Sequence, residues 1–238
     1  MKAFGKLAVA ASILFPLCLP AQSAQAADNS NTAGKLQQVL QQLDASAKNF
    51  HSSSADFEFQ NIQTEPVPDT DTMTGSVYFE HRGDAVRMTA HVKQRNGQPY
   101  GSVYTYTNGV FQLYDQQLNQ VTKYQSSANL AGYISLGFGA SGKELQDEYE
   151  IAWLGQETID GVKTDKLQLI PKDQKARNLF PKITIWIDPT RDVNLKQVFD
   201  EGQGLSRVCT YSNIRMNRSI PSSDFSFKTN RNTKFNSQ

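Results

Sequence analysis

From Ser54 onward the apolar residues of this 238-residue chain fall at every second position, and that period limits what the chain can become. Residues two apart share one face of a β-strand, whereas a helix would turn them to opposite sides. Phe57 and Phe59 alternate with Asp56, Glu58 and Gln60, and Val77 and Phe79 alternate with Ser76, Tyr78 and Glu80. Val86, Met88 and Ala90 alternate with Arg87 and Thr89. A polar loop with Pro66, Pro68 and residues 69–72 separates the first two runs, and Arg82-Gly83-Asp84 reads as a hairpin turn after the second. Asn108-Gly109 between the runs 103–107 and 110–114 is the strongest short hairpin signal. Further strands are expected at 121–124, 149–155, 166–170, 183–187, 195–200, 206–214 and 225–227, with turns at Asp160-Gly161, Asp188-Pro189 and Glu201-Gly202-Gln203-Gly204. That makes roughly ten strands in one run.

Two segments break the alternation. Leu36, Val39, Leu40, Leu43, Ala47 and Phe50 fall at helical spacing and predict an amphipathic helix ahead of the strands. Between 126 and 145, Leu130, Tyr133, Ile134, Leu136 and Phe138 suggest a short apolar helix ending in glycines Gly137, Gly139 and Gly142. An antiparallel sheet of ~10 strands with two short helices cannot have both faces covered and tends to curl. The expected fold is therefore mainly β with α: a single curved antiparallel sheet with an N-terminal helix and the apolar segment as a lid. The alternative is a β-sandwich whose helices cover an edge. No low-complexity linker or internal repeat interrupts residues 27–238, which read as one domain. Alternation then points Phe57, Phe59, Val77, Phe79, Val86 and Met88 inward, as candidate lining of an apolar cavity.

Lys2, Lys6, the apolar run 7–19 and the small residues Ser23, Ala24 and Ala26 read as a secretory signal peptide, 1–26, with cleavage expected after Ala26. The apolar run is shorter than the ~20 residues of a membrane span. Pro16-Leu17 ahead of Cys18 is a poor lipobox, so no lipid is expected on the chain itself. Lys+Arg total 24 and Asp+Glu 23, and the leader takes two lysines and no acid with it. The mature chain is thus slightly acidic, against nucleic-acid binding. Cys209 remains as one cysteine in an apolar-alternating run, a small buried hydrophobe rather than a nucleophile.

The chemistry that tempts does not fit. Residues 137–143 nearly spell a phosphate-binding loop, but Glu144 stands where a Ser/Thr hydroxyl should meet magnesium, and no strand precedes the run. His51, His81 and His91 are far apart, none in a metal-binding spacing. No G-x-S-x-G is present. The expectation is no enzyme, no metal and no cofactor.

The run Leu-Gly-Phe-Gly-Ala-Ser-Gly-Lys-Glu-Leu (136–145), Tyr149-Glu150-Ile151, Leu154-Gly155-Gln156-Glu157-Thr158 and Asp160-Gly161-Val162-Lys163 together resemble the outer-membrane lipoprotein carrier protein (LolA) family. So do Leu167-Gln168-Leu169-Ile170-Pro171, Ile185-Trp186-Ile187-Asp188 and Tyr211-Ser212-Asn213-Ile214-Arg215, with Gly75 and Asn108-Gly109 in the same order upstream. The resemblance implies a half-open β-barrel with a helical lid, monomeric and periplasmic. It would receive the acyl chains of lipoproteins from an inner-membrane release complex and pass them to an outer-membrane acceptor. It also implies an arginine latch on the lid. His81 stands at the family's spacing and Arg82 one residue later, with Gly83 in place of the usual proline. Arg82 is the expected latch, although a one-residue shift reverses the face. The usual proline is also missing near Phe227 to Asn230. A lipid-sensing or acceptor module of the same fold, such as an envelope-stress sensor or outer-membrane receptor, is the alternative function.

Overall fold

The computed structural model describes residues 23–82, 85–107, 109–125 and 136–237. The signal-peptide run lies outside these residues apart from Ser23 to Ala26, and so do Leu130, Tyr133 and Ile134 of the expected lid. Helix α1 (Ser23–Ala47) leads into β1 (Ser52–Gln63), β2 (Asp69–Arg82), β3 (Ala85–Arg95), β4 (Gln98–Thr107), β5 (Val110–Asp115) and β6 (Gln120–Gln125). Beyond residue 136 come α2 (Gly142–Glu148), β7 (Tyr149–Ile159), β8 (Val162–Pro171), α3 (Gln174–Leu179), β9 (Lys182–Asp188), β10 (Val193–Gly202) and β11 (Leu205–Met216). A 3₁₀ turn (Ser222–Phe225) and β12 (Lys234–Ser237) end the chain.

Among the described residues all twelve strands join one sheet, in the order β12-β6-β5-β4-β3-β2-β1-β11-β10-β9-β8-β7. Two meanders, β1 to β6 and β7 to β11, are thus zipped side by side by the β1–β11 pair. The sheet is open, with β7 and β12 at its two edges. Bulges at Ser54/Asp56, Thr74/Gly75, Val92/Gln94 and Trp153/Gln156 bend and twist the strands, which helps the sheet curl. At Gly75 any side chain would collide with the His91 carbonyl across the pair. The Asp160-Gly161 turn has both residues at positive φ, 47° and 80°, the twist a two-residue hairpin requires.

The concave face holds two apolar clusters. Val39 and Leu43 of α1 pack with Leu136, Leu145 and the inward residues of β8 and β9, Leu167, Leu169, Ile183 and Ile185 among them. Phe138 instead joins Phe50, Val77, Phe79, Met88 and Tyr211. Helix α1 stops at Ala47, earlier than its apolar spacing suggested, and Phe50 continues the buried stripe from the turn into β1.

The structure corrects several expectations. Among the described residues the strands number twelve against the roughly ten expected, and residues 69–72 are strand, because β1 keeps its ladder with β2 down to Gln63 opposite Asp69. Residues 225–227 are not a strand. Phe225 packs on the outer face, with the Arg87 guanidinium 3.8 Å over its ring, and Phe227 stacks on Tyr114 with centroids 5.0 Å apart. The polar tail supplies the twelfth strand, pairing parallel to β6 from Lys234 opposite Gln120. Strand pairing at an edge needs only backbone donors and acceptors, so a polar run can serve. Helix α3 was not among the expected elements; Asp173 caps it, its carboxylate accepting the Ala176 backbone N–H at 2.9 Å.

Candidate functional site

Strand pairing brings the alternating side chains of separate strands onto one wall. Phe57 lies opposite Tyr211 and Phe59 opposite Cys209 on one side. On the other, Val77 faces Ala90 and Phe79 faces Met88. Phe57, Phe59, Val77, Phe79 and Met88 line an apolar cavity of about 260 Å³ on the concave face. Val86 does not line it; it pairs with His81 one step nearer the β2–β3 turn and is half-buried. The second meander contributes wall residues that sequence reading missed, Gln197, Phe199, Cys209 and Tyr211, together with Phe180 after α3. The alternation of Cys209 with Tyr211 was visible, but nothing local says that β11 lies beside β1.

The turn at 136–139 packs against two of the cavity's wall residues, Phe79 and Tyr211. Phe138 is fully buried, stacked on Phe79 and edge-on to Tyr211 at 4.8 Å. Leu136 points instead into the cluster beneath α1. Between them Gly137 takes φ 80°, and its carbonyl accepts the Asn194 backbone N–H at 3.1 Å. A side chain there would collide with Asn194, so the turn sits this deep only because residue 137 is glycine. The run resembling a phosphate loop is a capped helix start. Ser141 Oγ accepts the Glu144 backbone N–H at 3.1 Å, and the Glu144 carboxylate accepts the Ser141 N–H at 2.8 Å.

His81 shares the face of Phe79, and its ring meets Phe50 edge-on with centroids 5.0 Å apart. Burial lowers its pKa, against a smaller opposing effect of the Glu144 charge, and its Nε2 has no hydrogen-bond partner among the described residues. His81 thus holds the inward register position, and Arg82 ends β2 one residue further on. Burial pushes the Cys209 thiol up to about 12, so it is protonated at neutral pH. Tyr211 is raised well above the ordinary phenol range by the same desolvation. A second recess, of about 660 Å³, opens on the outer face beside Asp56, Arg215 and Arg218. Its walls are polar and unsuited to an apolar ligand.

The described strands thus form one open, curled sheet with an apolar cavity on its concave face. Residues 110–233 match the model of a family described as "Uncharacterized protein", and the chain belongs to that family. Its description is not that of the lipoprotein carriers whose motifs the sequence resembles. An uncharacterized protein of Methanocaldococcus jannaschii is 27% identical over 117 residues, covering 49% of this chain and 32% of that protein. The chain thus aligns with about a third of that relative's length. A conserved uncharacterized protein of Thermus thermophilus shares the fold at TM-score 0.53, with 10% identity, over 85% of this chain and 98% of that one. MucB, also solved as the Pseudomonas aeruginosa MucA/MucB complex, does so at TM-score 0.50, with 14% identity, over 82% of this chain and 63% of that one. An outer membrane lipoprotein-sorting protein domain of Vibrio parahaemolyticus is similar at TM-score 0.44, with 17% identity, over 79% of this chain and 94% of that one.

Proposed function

We propose that the protein is an exported, non-enzymatic carrier that shelters the acyl chains of a lipid or lipoprotein in the concave cavity and ferries them across the periplasm toward the outer membrane. The observation that supports this most is the apolar wall of Phe57, Phe59, Val77, Phe79 and Met88, with Phe138 stacked on Phe79 beside the space. An acyl chain gains ~0.8 kcal/mol for each CH₂ buried, so it crosses water only inside such a shelter. At about 260 Å³ the cavity is smaller than the ~300–1,000 Å³ of typical ligand sites. Cargo therefore enters by displacing the 136–139 turn, and the turn's return favours release, since closure and cargo compete for one space. His81 or Arg82 serves as the latch that holds the closed form. Loading from an inner-membrane release complex and delivery to an outer-membrane acceptor follow from the resemblance to the lipoprotein carriers.

Photo-crosslinkers at Val77 and Phe79 should trap acylated cargo in the periplasm, whereas those at Tyr78 and Arg87 should not. Native mass spectrometry of the purified protein should show bound acylated mass. Equal labelling at inward and outward positions, with no bound mass, rejects the carrier reading.

A further inference from the structure

Besides Arg207, which is ion-paired with Glu201, one polar strip crosses the largely apolar cavity wall, and it ends in a hydroxyl with a poor acceptor. Fully buried Asn194 accepts the Trp186 backbone N–H at 3.2 Å and donates through Nδ2 to Gln197 Oε1 at 3.1 Å. Gln197 Nε2 in turn donates to the Tyr211 hydroxyl oxygen at 2.9 Å. A phenol has one hydrogen to give, and with Gln197 holding the oxygen as acceptor that hydrogen is left to be donated elsewhere. Its neighbour is the Cys209 sulfur, a weak acceptor, on the same face of β11. Gln197, Cys209 and Tyr211 all line the cavity. A wall built only for hydrocarbon would be served better by phenylalanine and leucine, because a buried amide and hydroxyl cost desolvation that their mutual bonds barely offset.

We propose that Tyr211 is the specificity-determining residue of the cavity, donating its hydroxyl hydrogen to the carbonyl oxygen of an ester-linked acyl chain, so that acyl esters bind in preference to plain hydrocarbon. Gln197 and Asn194 are positioning residues that aim the phenol. An ester oxygen replaces sulfur as acceptor without disturbing the rest of the strip. This rests on the carrier reading above and adds the chemistry that the cavity selects.

The test compares methyl decanoate with undecane, two probes of similar apolar length, by displacement of an environment-sensitive dye from the intact protein. Wild type should bind the ester about threefold to tenfold more tightly, the range one net hydrogen bond supplies. Tyr211→Phe should erase that preference by weakening the ester alone, and Cys209→Ser, which offers the phenol a stronger internal acceptor, should narrow it. Repeating the comparison with a diacylglyceryl lipopeptide and a phosphatidylglycerol of equal chain length tells which source of ester the cavity takes; Tyr211→Phe weakens whichever binds. Equal binding of both short probes by wild type overturns the proposal while leaving the carrier reading intact, as does an equal loss of both in Tyr211→Phe. Binding of neither short probe overturns both. Should Tyr211→Phe not fold, the carbonyl stretch of a ¹³C-labelled ester bound to wild type decides: a band lowered by hydrogen bonding supports the proposal, and an unshifted band overturns it.

Discussion

The ring of Phe138 lies nearly parallel to that of Phe79, with centroids 4.7 Å apart and planes 12° apart. The turn that the sequence marks as a lid is thereby seated on the wall that Val77 and Phe79 present to the cavity. Its carbonyl at Gly137 is tied to Asn194, so the same polar strip that reaches Tyr211 also anchors the turn.

Truncating the plug should separate its two roles. Phe138→Ala removes a fully buried ring and should cost about 3–5 kcal/mol of stability, the usual range for such a cut. The space released should raise the affinity for a hydrophobic probe per folded molecule. Denaturant unfolding gives the first quantity and dye titration well below the unfolding midpoint the second. Lost stability with unchanged affinity would make Phe138 a core residue alone.

His81 should make stability depend on pH. Burial lowers its pKa from the ordinary 6.5, with Glu144 opposing. The unfolded chain therefore takes up the proton first as pH falls, and stability drops from pH 6.5 down to the lower folded value. Above 6.5 the neutral ring carries no penalty. Asp56, Asp71, Glu157, Asp188 and Asp200, whose pKa values are lowered, lose their contributions only below their ordinary values of 3.8 to 4.5. Comparing unfolding free energies near pH 7.5 and near pH 5.5 should show a loss in wild type that His81→Phe reduces. An identical loss in both proteins would assign it elsewhere.

Ser141 is expected to act as a helix cap. Ser141→Ala should cost about 0.5–2 kcal/mol, because the Glu144 backbone N–H loses its acceptor. Adding nucleotide with magnesium should leave the melting temperature of wild type and variant unchanged. A nucleotide-induced rise that Lys143→Ala removes would restore the phosphate-loop reading.

Cys209 should report opening. In a chain starting at Ala27 it is the one thiol, buried and raised to about 12. Alkylation of the native protein near neutral pH should be slow and limited by transient opening, then fast in denaturant. Occupying the cavity with an acyl ester should slow it further. A fast native reaction that ligand leaves unchanged would place the thiol in open solvent.

Much of this arrangement was legible in residue order. The shared faces of Phe57 with Phe59 and of Val77 with Phe79 follow from the strand period, and the Asp160-Gly161 turn from the two residues that tolerate positive φ. The apolar stripe of Val39 and Leu43 likewise marked α1. Each depends on residues a few positions apart, which is the range over which backbone geometry alone relates side chains.

Tertiary structure alone decided which strands became neighbours. The β1–β11 pair, joining chain segments far apart in sequence, sets Tyr211 opposite Phe57 and Cys209 opposite Phe59, and so completes the cavity with groups that no local pattern connects. It also sent Leu136 and Phe138 into different clusters across one glycine, and recruited the polar run Lys234–Ser237 as a strand. The free energy of those choices comes from burial and backbone pairing between distant segments, whereas sequence pattern specifies only which face of each segment is apolar.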